Sequence, residues 1–123
     1  MRLLESGEDY LETIYILAKK GPVRAIDIVN ELNYSKPSVS IAMKKLKENG
    51  YIEINNSNIT LTSIGYDIAH RVYERHQIIS KALINLGVSK DVALIDACKI
   101  EHDLSEESFN AIKNHLEKNW KDK

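Results

Sequence analysis

Apolar residues recur at helical spacing in three segments of the first 50 positions. This spacing predicts helices over residues 5–20, 25–33 and 36–50. Ser6 is placed to cap the first helix, and Gly21-Pro22 ends it. Ser35 can cap the third helix, and Gly50 is its C-terminal stop.

A turn-rich tetrad flanked by β-branched residues marks a change of pattern after the third helix. Residues 51–54 and 58–62 are joined through Asn55-Asn56-Ser57-Asn58, and this arrangement predicts a β-hairpin. The hairpin is the only strand signal in the sequence.

Helical spacing returns after the hairpin and predicts three further helices. They run from near Ser63 to about Leu86, from Lys90 to about Asp103, and from Ser105 through Trp120. The first of them carries an apolar stripe made of Ile64, Ile68, Val72, Ile79 and Leu83. Gly87 closes that helix, and Ser89 and Ser105 can cap the next two.

Three helices followed by a hairpin form the winged helix-turn-helix arrangement. In that arrangement the third helix enters the major groove of DNA and the hairpin lies along the backbone. We therefore predict a mainly α fold with a small β-hairpin. Residues 1–64 form a winged helix-turn-helix DNA-binding domain, and residues 65–123 form an all-α dimerisation domain.

Length and composition limit the classes of protein that fit. With 123 residues, 43% hydrophobic and 28% charged, the chain is an ordinary globular protein with little room for a deep catalytic cleft. It has no signal-peptide pattern and no apolar stretch of membrane-spanning length. Its single cysteine, Cys98, excludes an internal disulfide framework and suits a reducing compartment. We expect a cytoplasmic protein without a membrane partner.

The local distribution of charge matters more than the net charge of −1. Four lysines and no acid lie between positions 36 and 47, on the predicted recognition helix. Short hydroxyls could approach base edges, and cationic side chains could contact phosphates. The candidate DNA contacts are Arg24, Ser35, Lys36, Pro37, Ser38, Ser40, Lys44 and Lys47. The alternative is a solvated helix face, which the helix-turn-helix order disfavours.

A second set of residues has the spacing of metal ligands. Cys98, Glu101 and His102 follow the spacing i, i+3, i+4, which places a thiol, a carboxylate and an imidazole on one face of one helix. Taken alone, Cys98 is also consistent with a small buried hydrophobe.

Two other predicted helices also offer candidate ligands. Asp9 and Glu12 are spaced i, i+3 on the first helix, and His76 lies midway along the fourth. The two acids could instead counter the helix dipole, and His76 could be a hydrogen-bonded interface histidine.

Several segments together resemble the diphtheria toxin repressor family of iron- and manganese-dependent repressors. The segments that carry this resemblance are Glu8–Tyr15, Val23–Ile28, Ser35–Ser40, Leu61–Gly65, Arg75-His76 and Asp96–Ser105. They occur in the same order over nearly the whole chain, which is more specific than a single motif.

The resemblance implies a function for both halves of the chain. In that family a winged-helix domain is joined to a helical dimerisation domain, and divalent metal between them lets the homodimer recognise operators of metal-uptake genes. It implies a metal site made of Asp9, Glu12, His76, Cys98, Glu101 and His102. The chain stops before the SH3-like third domain of iron-type members, so it resembles the two-domain manganese regulators.

Three positions depart from the family patterns. Iron-type members have a second site with a glutamate four residues after the position of His76 and a histidine four before that of Cys98. Ser80 and Leu94 stand there, so we expect that site to be absent. Manganese-type members carry a glutamate at the position of Cys98, so the ligand set is a hybrid.

The hybrid set leaves the choice of metal open. Carboxylates suit Mn²⁺, whereas thiolate and imidazole favour Fe²⁺, Co²⁺, Ni²⁺ or Zn²⁺. We expect Mn²⁺ or Fe²⁺, with the other three as alternatives.

Two other classes of protein use the same residues differently. In a metal-independent winged-helix regulator the ligand-like cluster would consist of structural salt bridges. A small metallohydrolase would need a nucleophile or general base and enough chain to enclose a substrate, and the sequence offers neither. We therefore predict a DNA-binding repressor without a small organic substrate, and not an enzyme.

Overall fold

The computed structural model describes residues 5–119, which form six helices and one two-stranded sheet. In chain order the elements are α1 (Glu5–Ala18), α2 (Ala25–Leu32), α3 (Lys36–Glu48), β1 (Ile52–Asn55), β2 (Asn58–Leu61), α4 (Ser63–Asn85), α5 (Lys90–Ile100) and α6 (Glu106–Asn119). This order confirms the predicted fold class. The chain divides after Arg71, within α4, into two units, here called unit 1 and unit 2.

The core of unit 1 joins the first three helices to the hairpin. Its fully buried side chains come from the three helices, from β1 and from the segment before α2: Leu11, Ile14, Val23, Ile28, Val39 and Ile52. Burial of such side chains stabilises the fold by roughly 1.5 to 3 kcal/mol each. Because α3 contributes only one face to this core, its other face is left exposed.

α3 begins and ends at the residues that the sequence indicated. The Ser35 hydroxyl oxygen accepts a hydrogen bond from the Ser38 N–H at 3.2 Å, which confirms the predicted cap. At the other end Gly50 has φ +82°, and the Tyr51 N–H donates to the Leu46 carbonyl at 3.0 Å. These features form a Schellman motif, in which glycine adopts the left-handed conformation at little cost.

α1 begins at Glu5 as predicted, but its predicted cap and its predicted end are wrong. Ser6 lies within α1, which already includes Glu5, so the predicted Ser6 cap is wrong. The helix ends at Ala18, because the Lys19 and Lys20 N–H groups bond to carbonyls three residues earlier and tighten the chain into a turn.

The hairpin has a tighter turn than the predicted four-residue connection. Asn55 and Asn58 pair with each other in the antiparallel register, so only Asn56 and Ser57 form the loop. Both have positive φ, 51° and 70°, as a two-residue type I′ turn requires.

Two backbone contacts hold the hairpin to the rest of unit 1. Val23 forms a single bridge with Ile59, and the Ile59 N–H donates to the Val23 carbonyl at 2.8 Å. The sequence did not indicate this bridge, because a single residue is too short to show the alternation of apolar and polar positions that marks a strand. Gly65 lies so close to the residue before β1 that a Cβ atom there would stand 2.0 Å from the Tyr51 backbone oxygen. Any larger residue at this position would displace α4.

Unit 2 packs the remainder of α4 against α5 and α6. Its buried apolar residues are Val72, Ile79, Ala93, Ala97, Phe109 and Leu116. The Ser105 hydroxyl accepts from the Ser108 N–H at 3.1 Å and caps α6 as predicted. Ser89 is the N-cap of α5 but forms no side-chain capping bond, so that part of its predicted role is wrong. The predicted continuation of α6 through Trp120 lies outside the described residues.

The long helix α4 departs from its predicted apolar stripe at the N-terminal end. Val72 and Ile79 are buried, but Ile64 is 59% exposed. No helix among the described residues is long and apolar enough to cross a membrane.

Candidate functional site

Four of the predicted metal ligands belong to unit 2, on α4, on α5 and in the turn after α5. The predicted helix to Asp103 is too long, because α5 ends at Ile100 and Glu101 is its C-cap residue. Glu101 nevertheless keeps helical dihedral angles, φ −58° and ψ −28°, and its N–H donates to the Ala97 carbonyl. The i, i+3 relation to Cys98 therefore survives, while His102 lies in the turn.

The donor atoms of these residues converge. Nδ1 of His76 lies 3.1 Å from Oε2 of Glu101 and 3.7 Å from Sγ of Cys98. One potential ligand atom from each of these three residues lies within 4.8 Å of the other two. Nε2 of His102 lies 3.4 Å from the other carboxylate oxygen, Oε1 of Glu101. We call His76, Cys98, Glu101 and His102 the unit 2 cluster.

Glu101 is the most unusual member of the unit 2 cluster, since it is a carboxylate that is only 1% exposed. Its Oε1 atom makes no hydrogen bond to any described residue. Taking a carboxylate out of water is costly unless a cation compensates the charge. Carboxylate, imidazole and thiol donors around one point fit a divalent transition metal, which would provide that compensation.

Arg75 holds the turn that carries Glu101 and His102. It is 7% exposed, and its Nη1 donates to the carbonyl oxygens of Glu101, at 3.1 Å, and of Leu104. Its Nη2 pairs with Glu106 at 3.3 Å. The guanidinium thus binds the backbone of the turn and leaves the Glu101 carboxylate to the cluster.

Sequence reasoning places Arg75 in a family-like motif with His76 but assigns it no role of its own. Its partners lie 26 to 31 residues away, so no local spacing indicates them. The one available signal was an arginine directly before a candidate ligand, His76, on a helix with an apolar face.

The other two predicted ligands, Asp9 and Glu12, belong to unit 1. They lie one turn apart on α1, and both are partly exposed. Their neighbours Tyr10 and Leu11 are buried in the core of unit 1, which fixes the position of this turn of the helix.

The predicted DNA contacts all lie on the exposed surface of unit 1. Exposed side chains are those of Arg24, Ser35, Lys36, Pro37, Ser38, Ser40, Lys44 and Lys47. The core side of α3 is formed by Val39, Met43 and Leu46. No acidic residue lies on the exposed side between positions 36 and 47, so all of the charge on this strip is positive.

Two of these contacts have local structural roles as well. The Ser35 hydroxyl donates to Oγ of Ser38 at 2.8 Å in addition to accepting from its N–H. Ser35 is therefore occupied by the cap, and Ser38 is the freer hydroxyl. Arg24 is the N-cap of α2, and its backbone N–H donates to the Asp27 carboxylate at 2.9 Å. The guanidinium group takes no part in this bond, and the side chain is exposed.

A buried tyrosine of α1 packs against the turn that precedes α3. Tyr10 is 7% exposed, and its ring meets that of Tyr34 edge-on with a centroid distance of 5.9 Å. Burial, and then the neighbouring Tyr34, raise the pKa of Tyr10 above its ordinary value. The neutral phenol is thus the form that this packing favours.

Two family models together match almost the whole chain. Residues 2–58 match the N-terminal DNA binding domain of the iron dependent repressors, and residues 62–122 match their metal binding and dimerisation domain. The chain belongs to the iron-dependent repressor family. Membership confirms the resemblance and makes the protein a metal-dependent, DNA-binding transcriptional regulator, not an enzyme.

Individual relatives agree with this membership. The chain is 36% identical to an uncharacterised helix-turn-helix transcriptional regulator of Methanocaldococcus jannaschii, over 97% of this chain and 98% of that protein. It is 37% identical to the transcriptional regulator MntR of Escherichia coli, over 90% of this chain and 73% of the relative.

Solved structures of manganese regulators share the fold. The manganese regulator SloR superposes with a TM-score of 0.80 at 27% identity, over 90% of this chain and 53% of SloR. A manganese-dependent transcriptional repressor in complex with manganese superposes with a TM-score of 0.83 at 25% identity, over 90% and 52%. The chain spans about half the length of these two proteins.

Proposed function

We propose that this protein is a cytoplasmic repressor of metal-uptake genes that binds its double-stranded operator as a homodimer when loaded with Mn²⁺ or Fe²⁺. Residues 1–64 serve as the DNA-binding domain and residues 65–123 as the metal-binding and dimerisation domain. The observation that carries the proposal is the buried Glu101 carboxylate, 1% exposed, with His76 and Cys98 beside it.

The unit 2 cluster provides four of the six proposed ligands. When bound, the ion supplies the positive charge that compensates the buried carboxylate and the thiolate. Arg75 holds the turn that carries Glu101 and His102, the two members of the cluster that follow α5. Asp9 and Glu12 complete the proposed set, and their assignment is supported by the resemblance and by their donor chemistry.

An exposed apolar surface in unit 2 supports the homodimer. Six large apolar side chains of α4, α5 and their connection are at least 36% exposed: Ile84, Leu86, Val92, Leu94, Ile95 and Ile100. This number of exposed large apolar side chains in one small unit is typical of a protein–protein interface. A second copy of the chain is the occupant that the dimerisation domain of the family indicates.

The exposed strip of α3 is the proposed DNA-binding surface. Lys36, Lys44 and Lys47 contact phosphates, Ser38 and Ser40 approach base edges, and Arg24 binds the backbone from the start of α2. Two recognition helices of a dimer must stand about 34 Å apart to meet successive major grooves. Metal that orders the dimer would favour this spacing by roughly 1 to 3 kcal/mol, or about 5- to 150-fold in affinity.

Operator binding measured across a metal series tests the proposal. Duplexes enriched from a random pool or from genomic fragments are titrated with protein in Mn²⁺, Fe²⁺, Co²⁺, Ni²⁺ or Zn²⁺, and with chelator. We expect tight binding only with metal, and calorimetry on the same protein gives the stoichiometry. Equal affinity with and without chelator would establish the metal-independent alternative, in which the cluster is structural.

The same metal series, repeated with a Cys98 variant, tests whether the thiolate is a ligand. Cys98→Ala should weaken metal-dependent binding and reduce the preference for the softer ions, because the thiolate is the donor that favours them. If Cys98→Ala retains full metal-dependent binding in every metal, the thiolate is not a ligand. Asp9→Ala and Glu12→Ala test the two α1 carboxylates in the same way.

A further inference from the structure

Ile41 is an apolar side chain at the centre of the exposed side of α3. It is 58% exposed, whereas Val39 and Met43, two residues away on either side, are 0% and 3% exposed. Successive helical residues are about 100° apart, so positions two removed point to nearly opposite faces. Ile41 therefore stands opposite the core side of the helix.

The surroundings of Ile41 are cationic. One turn before it lies the exposed Pro37, and one turn after it lie the exposed Lys44 and Lys45. Lysines thus flank a small apolar surface formed by Pro37 and Ile41. This combination suits a polyanion that also presents an apolar group between its charges.

Contacts within the chain cover less than half of the Ile41 side chain. The side chain stands at the rim of a 240 Å³ groove between α1 and α3, which Tyr10 and Leu46 also line. More than half of Ile41 remains outside that groove. A large apolar side chain on the solvent side of a helix contributes little to the core. Ile41 lies on the same side of α3 as the exposed cationic side chains, so a partner of that side would meet it.

We infer that Ile41 determines sequence specificity by packing against the C5-methyl group of a thymine in the major groove. This inference rests on the proposed function, in which α3 is the recognition helix. The thymine methyl is the one apolar group that a base pair presents in the major groove, and apolar side chains read it there. The exposed serines of α3 cannot provide this selection, since a hydroxyl both donates and accepts hydrogen bonds.

The test replaces single thymines of an enriched duplex with deoxyuridine, which removes the methyl group and keeps base pairing. With metal-loaded wild-type protein, we expect one position in each half-site to weaken binding by about fourfold, the value for burying one methylene-sized group. Other thymines should show no loss. If no thymine is sensitive to loss of its methyl group, the inference is overturned without any protein variant.

Variants connect the sensitive thymine to Ile41. Ile41→Ala should bind the thymine and deoxyuridine duplexes equally, whereas Ile64→Ala, a matched control that is 59% exposed on α4, should keep the wild-type difference. A thymine preference that persists in Ile41→Ala would overturn the inference. Failure of wild-type protein to enrich any duplex in Mn²⁺ or Fe²⁺ would instead overturn the proposed function, and this inference with it.

Discussion

The proposed DNA-binding surface and the unit 2 cluster differ in how their residues are distributed along the chain. The DNA-binding surface lies mostly within α3, so one helix and its cap orient almost all of it. The unit 2 cluster takes His76 from α4, Cys98 from α5 and two residues from the following turn. The first depends on local structure and exposed charge, whereas the second depends on tertiary packing around a buried charge.

This difference implies opposite sensitivities to mutation. Exposed lysines can be removed with little effect on folding, because their charges are solvated. A buried carboxylate affects the free energy of unfolding, because its charge is costly unless a cation is present. Variants that separate binding from stability should therefore behave differently in the two regions.

Glu101→Gln should have the largest effect and should move metal affinity and stability in opposite directions. Removing the charge should reduce Mn²⁺ affinity by more than the roughly 100-fold limit typical of outer-shell changes. The same change should raise the free energy of unfolding without metal by about 1 to 3 kcal/mol, since it removes a buried charge whose Oε1 atom accepts no hydrogen bond from any described residue.

Calorimetric Mn²⁺ titration and urea unfolding of the metal-free protein measure the two effects of Glu101→Gln. Glu107→Gln, on the exposed surface of α6, is the control and should change neither. A Glu101→Gln protein that binds Mn²⁺ as wild type does would remove Glu101 from the site.

Arg75→Lys should show the next largest effect, through the turn rather than through the ion. Lysine keeps the charge but cannot donate to the Glu101 and Leu104 carbonyls and to Glu106 at once. We expect Mn²⁺ affinity to fall by about 10- to 100-fold and the free energy of unfolding by about 1 to 3 kcal/mol.

The matched control for Arg75→Lys is Arg71→Lys, one turn earlier on α4, whose side chain is 51% exposed. It should leave the thermal midpoint and the Mn²⁺ titration unchanged. If Arg75→Lys also leaves the thermal midpoint and the Mn²⁺ titration unchanged, Arg75 acts only through its charge and does not position the turn.

The contrast between the two regions also explains what the sequence could predict. On α3 the Ser35 cap and the Gly50 stop follow from local backbone chemistry, and the structure contains both. The exposure of Ile41 was not predicted, because the same apolar residue would fit the core side in a slightly different register. For the cluster, the spacing of Cys98 and Glu101 identified the donors.

Long-range contacts account for what the sequence could not predict. The end of α5 at Ile100 was missed, since no glycine or proline marks it, and the following turn is held by Arg75 from 26 residues away. The bridge between Val23 and Ile59 is a single residue pair. Neither feature leaves a periodic signal in the sequence.

Lys44→Ala should have a moderate effect on DNA binding and none on metal binding. Loss of one phosphate contact should weaken binding equally for all sequences and reduce the slope of log affinity against log salt concentration by about 0.9. Fluorescence anisotropy at several salt concentrations measures this slope. Lys118→Ala, on α6, is the control, and an unchanged slope in Lys44→Ala would place Lys44 outside the DNA interface.

The smallest expected effect concerns the packing of Tyr10 against the turn before α3, and it appears only at alkaline pH. Because the pKa of Tyr10 is raised in the folded state, its contribution to stability is fully present below the unfolded pKa of about 10 and is lost as pH rises through the folded value. Tyr10→Phe, which cannot ionise, should therefore lose less stability than wild type between about pH 8 and pH 11. Urea unfolding at the two pH values measures the difference. An equal loss in both proteins would show that other groups cause the alkaline decline, and that the packing of Tyr10 against Tyr34 is insensitive to the charge of this phenol.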